Sequence, residues 1–534
     1  MNDSVHISDA WWLMIYPMIV PYLEKLPTNW MQPWLPMSQV WRIWSASHKP
    51  FQQAGADTFM LVTPNGNLLW TCDPRVWDEV YTQQGKFQTP TDMTKFFDVY
   101  GPNLGSVEGE EWKAHRRIMA LGFNPAINTT VWEESQFQAD TLASVWMRDG
   151  SVVRSVKDWT SRLALHVIVS GFFHKRLTWE EYDQGVNLVP TEHQLGFEEA
   201  LFGVLGRLAT IATVPRSWLR NIPLKFFREP YIAFTDWTKY MEELQDNALS
   251  RLEQTKSKRN RSILESIVLA GTPEMLEPGD IALSREGVFG DMFFALLAGH
   301  ETTGSTMAFM VYLMVIYPEY QKELHEELDR QLGDRPRQEW TVTEDYSVLQ
   351  RGVLGAIQKE TLRLYHPAQW NFRRATVATP VGQSHTIPEN TMIMVNFAAT
   401  NHDPDRWTQR DVPRARKDQL HDSPALYFDP HRWLKDELPE KQVPFFGVGP
   451  RSCLGKAFAQ IEMAAFVATL FKEYSIELVV PEDTLRACGG DEKLAWEKTR
   501  DDAIRQMVDD VKANISIYMA KDLPVRIVKR NWRL

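Results

Sequence analysis

Cys453 lies in the run Phe445-Phe446-Gly447-Val448-Gly449-Pro450-Arg451-Ser452-Cys453-Leu454-Gly455, directly ahead of an amphipathic stretch. Three glycines and a proline around one cysteine describe a tight loop that enters the N-terminus of a helix. Backbone N–H groups and the positive end of the helix dipole stabilise a thiolate in such a place. A deprotonated sulfur is what a metal requires. A buried structural cysteine is the ordinary fate of this residue. A cysteine hydrolase would need a histidine base brought close in space, and no residue of the sequence is marked out for that task.

A second group of chemistry-bearing residues interrupts the stretch 284–316. This stretch is very long, free of proline and apolar on nearly every face, with Phe289, Met292, Phe293, Leu296, Leu297, Phe309, Met310 and Val311. A helix of that kind is a membrane span or the buried central helix of a large domain. Gly299-His300-Glu301-Thr302-Thr303-Gly304 stands in its middle, polar and helix-weakening, a poor use of a core position unless these residues have a task. Thr302 is spaced to bond back to the carbonyl of Ala298 and loosen the turn. His300-Glu301 is not a zinc-hydrolase motif, because Gly304 stands where H-E-x-x-H needs its second histidine.

Four further fragments gather charge. Glu360-Thr361-Leu362-Arg363 puts an acid and an arginine three apart on one helix face, and Phe428-Asp429-Pro430-His431-Arg432-Trp433 supplies another arginine. Trp112 and Arg116 lie four apart in Trp112-Lys113-Ala114-His115-Arg116-Arg117, and Asn371-Phe372-Arg373-Arg374 adds a pair of cations.

Taken together these motifs resemble the cytochrome P450 superfamily, and the cysteine loop agrees at Phe446, Gly447, Gly449, Arg451, Cys453 and Gly455. The resemblance implies haem b, with Cys453 as the axial ligand to iron and its electron donation favouring O–O cleavage. Phe446 would shield the sulfur, while Arg451, Trp112, Arg116 and Arg373 (Arg374 in reserve) would serve the haem propionates. Glu301 and Thr302 would deliver protons to dioxygen, one atom of which leaves as water. Glu360, Arg363 and Arg432 would form a buried network bracing the chain that leads to Cys453. His431 departs from the glutamate that many relatives carry. The fold implied is mainly α with a small β-sheet region, a long central helix and a cysteine-ligand loop.

The elements read from periodicity agree with that fold class. Short apolar runs at 58–63 and 67–72 flank Asn65-Gly66 and predict a hairpin. Helices are expected over roughly 111–121, 131–147, 156–172, 231–254, 284–316, 319–332, 347–365 and 456–474. Strands are expected at 391–397, 515–519 and 524–528.

No linker or repeat divides the chain beyond about residue 41, so one catalytic domain over 45–534 is expected behind a leader at 1–44. The apolar run 10–23, broken by Pro17 and Pro21, is short of the roughly 20 residues a span needs. Trp30, Trp34, Trp41 and Trp44 suit a membrane–water boundary, so membrane association is expected, with the domain on the cytosolic face of the endoplasmic reticulum. A net charge of −11 argues against a nucleic-acid partner held through phosphates, and three cysteines make no disulfide framework.

The chain has no flavin or ferredoxin module. The resemblance therefore implies an NADPH-dependent diflavin reductase as electron donor, docked at Lys113, Arg117 and Lys456. Phe96–Tyr100, the 293–298 face and 368–372 would line a pocket for a hydrophobic small molecule, with Gln369 and Asn371 orienting polar groups. Likeness to filamentous-fungal members places the activity in secondary-metabolite biosynthesis. The readings set against a monooxygenase are a peroxide-driven or rearranging haem-thiolate enzyme and a non-enzymatic haem sensor.

Overall fold

The computed structural model describes residues 43–63, 66–179, 189–254, 261–277, 279, 281–381, 385–408, 424–434, 443, 445–513 and 515–530. The apolar run 10–23 and most of the leader lie outside them. No described helix is long and apolar enough to cross a membrane.

The described chain separates into two compact units. One holds 88–127 and 168–298; the other holds 43–87, 128–167 and the residues from 299 onward. The helices used below are α1 (Gly109–Gly122), α2 (Val156–Phe173), α3 (Lys225–Gln254), α4 (Arg285–Ile316), α5 (Pro318–Leu332), α6 (Val353–Leu364), α7 (Lys456–Glu473) and α8 (Glu492–Asp509). The strands are β1 (Thr58–Thr63), β2 (Gly66–Thr71), β3 (Trp370–Ala375), β4 (Met392–Asn396), β5 (Tyr474–Leu478) and β6 (Val525–Lys529). The fold is mostly helical with small sheets, as the motifs implied.

The expected hairpin forms, β1 pairing antiparallel with β2 from Thr58↔Thr71 to Thr63↔Gly66. The larger sheet continues through β4, parallel to β2, to β3, antiparallel to β4. A second sheet pairs β6 antiparallel with β5. Gln321 of α5 ties that sheet to the end of α4. Its amide donates to the carbonyls of Met314 and Ile476, and its oxygen accepts from the Ile476 N–H.

The apolar stretch at 284–316 is one helix, α4, and Phe289, Met292, Phe293, Leu296, Leu297, Phe309, Met310 and Val311 are all buried. It is therefore a core helix. Gly304 allows a close crossing, since a Cβ there would stand 2.5 Å from Ser161 Cα of α2, while the Thr160 hydroxyl donates to the Gly304 carbonyl at 2.7 Å. Arg500 of α8 donates to the carbonyl of Ile316 at 2.9 Å, a cation on the negative end of α4.

Some helix boundaries differ from expectation. The helix expected over 347–365 is broken, with short turns at Ser347–Leu349 and α6 starting only at Val353. Gly352 precedes that start, and the Glu327 carboxylate accepts from the N–H groups of Val353 and Leu354 at 2.8 and 2.9 Å. A cap reaching in from α5 is not visible in local periodicity. In the other unit, α3 begins at Lys225 rather than at 231 and carries Pro230 within it. Pro230 is the sixth residue of α3, so its missing N–H removes one intrahelical bond, the one to the Phe226 carbonyl.

Candidate haem-thiolate and proton-transfer residues

The cysteine loop is shaped by its own backbone. Gly447 and Gly449 both have φ +70, the left-handed region where a side chain is strained. At Gly449 a Cβ would also stand 2.7 Å from the Tyr81 carbonyl oxygen, so space and conformation both require glycine. The Cys453 N–H donates to the Phe446 carbonyl at 2.8 Å, and the Ser452 N–H to Gly449 at 3.1 Å. Gly455 then caps α7, and a Cβ on it would lie 3.8 Å from Cys453 Sγ. The sulfur is thus held at the N-terminus of α7, on an exposed residue, where the helix dipole favours thiolate.

Residues far away in sequence fix this loop. His366 Nε2–H donates to the Phe445 carbonyl at 3.0 Å, with Nδ1 accepting from the Ala368 N–H at 3.1 Å. Burial pushes that imidazole below its ordinary value, opposed by its bonds to the Phe445 and Ala368 backbone. Tyr81 serves twice, through its carbonyl against Gly449 and through its ring, which carries the Arg373 guanidinium at 4.8 Å.

Arg373 is the more informative of the adjacent pair. It is 5% exposed, whereas Arg374 is half-buried. Its described partners are the Asn371 side-chain oxygen at 2.7 Å, the Phe372 carbonyl at 2.9 Å and the Tyr81 ring, with no carboxylate among them. The Tyr81 hydroxyl is also buried and meets no hydrogen-bond partner among the described residues. A buried cation held only by neutral groups is costly in an apolar setting and calls for an anion. Burial likewise pushes Arg451 down to about 10. A thiol donor at a helix start, with a buried arginine seeking an anion, fits an iron porphyrin bearing propionates.

The acid of α4 is tethered. Glu301 Oε1 accepts from Ser516 Oγ at 2.7 Å and from Lys157 Nζ at 3.2 Å, and Lys157 also donates to Ser161. Burial alone would raise this carboxyl; the Lys157 ammonium, then His300, then the Ser516 hydroxyl outweigh it and hold it below the usual carboxylate range. Thr302 is half-buried on the same helix, and one turn further on the Thr306 hydroxyl donates to the Thr302 carbonyl at 2.9 Å.

The Glu360 network is assembled as expected. Arg363 donates through Nε and Nη2 to the two oxygens of Glu360 at 2.8 and 2.7 Å, and Arg432 Nε forms a 3.4 Å ion pair with Oε1. Trp433 Nε1 and the Asp429 N–H donate as well, at 2.8 and 3.1 Å. Burial would raise the Glu360 carboxyl, but the two arginines hold it below its ordinary value. His431 Nε2 hydrogen-bonds to the Glu323 carboxylate of α5 at 2.6 Å, so the substituted position still anchors the segment.

Trp112 and Arg116 belong to the other unit, on α1, with the guanidinium 5.6 Å from the indole centroid. His115 between them is buried and bonded through Nδ1 to Asp291 at 2.7 Å, while the other Asp291 oxygen accepts from the Leu104 N–H at 2.8 Å. This unit also gathers Phe97, Tyr100, Phe234, Phe293 and Phe294, with Tyr100 stacked 4.7 Å from Phe234 and Phe97 edge-on to Phe294 at 6.1 Å. Each of the two amides expected to orient a ligand has one end bonded to the protein, while Gln369 Oε1 is buried with no hydrogen-bond partner among the described residues. Asn371 holds Arg373, and Gln369 bonds to the His366 carbonyl.

A sequence profile described as Cytochrome P450 matches residues 20–496. The chain belongs to the cytochrome P450 family. Its P450 relatives include cytochrome P450 monooxygenase 124 of Postia placenta, 28% identical over 82% of this chain and 81% of that one. The phomenoic acid biosynthesis cluster cytochrome P450 monooxygenase of Leptosphaeria maculans is 24% identical over 80% and 76%. The haem domain of cytochrome P450DA superposes with a TM-score of 0.67 at 20% identity, covering 91% of this chain and 92% of that one. This P450 is accordingly an oxygenating oxidoreductase of the haem-dependent class.

Sequence reading located the P450 cysteine loop, Arg373 and the Glu360–Arg363–Arg432 set. Lys157, Ser516, Tyr81 and His366 were missed, because no local spacing marks a lysine, serine, tyrosine or histidine whose partner lies far along the chain.

Proposed function

We propose that this P450 inserts one oxygen atom of dioxygen into a hydrophobic small molecule in secondary-metabolite biosynthesis. The observation that carries the proposal is the pairing of an exposed thiol at the start of α7 with the buried, anion-seeking Arg373. Haem b, with Cys453 as its thiolate ligand, supplies the reductive activation of dioxygen. Phe446 shields the sulfur, and Arg373 and Arg451 hold propionates. Trp112 and Arg116 enter on the strength of their motif alone. Glu301, kept ionised beside Lys157, takes protons from solvent and passes them to the Thr302 hydroxyl.

An apolar substrate is supported by the aromatic group Phe97, Tyr100, Phe234, Phe293 and Phe294. The biosynthetic context rests on the cluster named for the Leptosphaeria relative. Electrons come from NADPH through a separate diflavin reductase, for which Lys113, Arg117 and Lys456 are exposed cations. Attachment to the endoplasmic reticulum, with the domain in the cytosol, is supported by exposed Trp218, Leu224 and Phe226 between 216 and 227 and by Met60 and Val62 of β1.

Two measurements test the reading. The reduced protein under carbon monoxide should show the red-shifted absorption of thiolate ligation, lost in Cys453→Ser. Turnover should require NADPH, reductase and dioxygen together. Full activity with peroxide alone would instead establish the peroxide-driven class.

A further inference from the structure

Far along the chain from the cysteine loop, three donors of different chemical type meet on the N-terminal side of the larger sheet. His48 precedes the helix Lys49–Ala54, Asp57 stands just before β1, and Cys72 just after β2. One ligand atom from each lies within 4.8 Å of the others. The Cys72 sulfur is 3.9 Å from His48 Nδ1, and the Ala399 carbonyl oxygen, a further donor, is 3.2 Å from the same nitrogen. Asp403 Oδ1 stands 3.9 Å from the other ring nitrogen, Nε2. His48 and Cys72 are buried while Asp57 is exposed, so the carboxylate forms the outer wall and the entry path.

The geometry points to a binding site for a divalent borderline-soft cation, zinc foremost, ligated by Cys72 Sγ, His48 Nδ1, an Asp57 oxygen and the Ala399 carbonyl. Sulfur, imidazole and oxygen donors in a four-coordinate shell are the set zinc accepts, and harder ions such as magnesium avoid thiolate. Binding through Nδ1 moves the imidazole proton to Nε2, where Asp403 faces it. A carboxylate behind a ligating histidine fixes its tautomer and raises its basicity. Burial pushes the Cys72 thiol up, and the Asp57, Asp403 and Asp73 carboxylates push it further against the Arg406 guanidinium. A cation entering there meets an acidic surround. Its structural effect is a clip, joining the segment before Lys49 to both ends of the β1–β2 hairpin and to the Ala399 turn.

The test uses the full-length protein as purified, stripped with chelator and titrated with zinc against a chromophoric competitor. One zinc per chain is expected, with zinc-edge absorption showing one sulfur at about 2.3 Å. Cys72→Ser should weaken binding by about a hundredfold and remove that sulfur, and Asp403→Asn should weaken it by about tenfold. Asp57→Asn alters an exposed side chain; it should fold normally and still lose at least about tenfold. Cys488→Ser should change nothing. Zinc should also raise the melting temperature of the parent and not of Cys72→Ser. No uptake by the parent, or equal uptake by Asp57→Asn and Cys72→Ser (an adventitious ion only), overturns the proposal.

Discussion

Two glutamates of the larger unit, Glu360 and Glu301, are both held below the usual carboxylate range, yet they are built for opposite ends. Glu360 is fully buried and meets two arginines, an indole N–H and a backbone N–H, so every lone pair is spoken for. Such a site has no capacity to move a proton; its charges stiffen the path from α6 to the cysteine loop. Glu301 is half-buried and meets one ammonium and one hydroxyl, both on the same oxygen. Its second oxygen faces His300 at 4.0 Å. The difference shows that a depressed carboxyl does not by itself mark catalysis. What separates the two is whether a proton can arrive and leave.

Mutations should widen that contrast. The largest effect is expected at Glu360→Gln, which strands Arg363 and Arg432 in the interior and costs about 3–5 kcal/mol. Denaturant unfolding and haem content report it, and a stable, haem-replete variant would refute the bracing role. Glu301→Gln should leave stability within about 1 kcal/mol while lowering oxygenation by about 10²–10⁴. Reductant consumption should fall much less than product formation. Equal losses at both glutamates in both assays would erase the distinction.

Lys157→Met should act through pH. Without the ammonium, burial is less opposed and the Glu301 carboxyl rises, so the acid limb of the pH–rate profile moves to higher pH. An unmoved limb would show that Lys157 does not set the charge of Glu301. In the parent, both carboxyls contribute stability that is complete above the ordinary glutamate value and lost as pH falls through their lowered folded values. Lys157→Met should remove only the Glu301 share of that loss, as followed by acid unfolding. Ser516→Ala is the smallest change, removing one hydrogen bond worth about 1 kcal/mol. Turnover should fall a few-fold, and an unaltered kcat would place Ser516 outside the relay.

Much of this was legible in the residues because the information is local. The glycines at 447 and 449 announce a left-handed loop, Cys453 and Gly455 stand at a helix start, and Glu360 and Arg363 share a face at three-residue spacing. The hairpin at 58–72 and the apolar periodicity of 284–316 are equally local signals. The break before Val353 was invisible, because its cause is a carboxylate from α5. The extra partners of Glu360, Trp433 and Asp429, lie in the stretch 428–433, yet nothing in their spacing reveals which group faces inward.

The amino-acid order alone determined the family-defining loop, the helical class of the fold and the identity of its fixed charges, since backbone conformation and facial spacing depend on near neighbours. Folding in three dimensions decided which charges meet. Lys157 reaches Glu301 across 144 positions and Ser516 across 215, and Tyr81 joins Arg373 to Gly449. Electrostatic energy depends on distance in space and on burial, and neither can be read from separation along the chain.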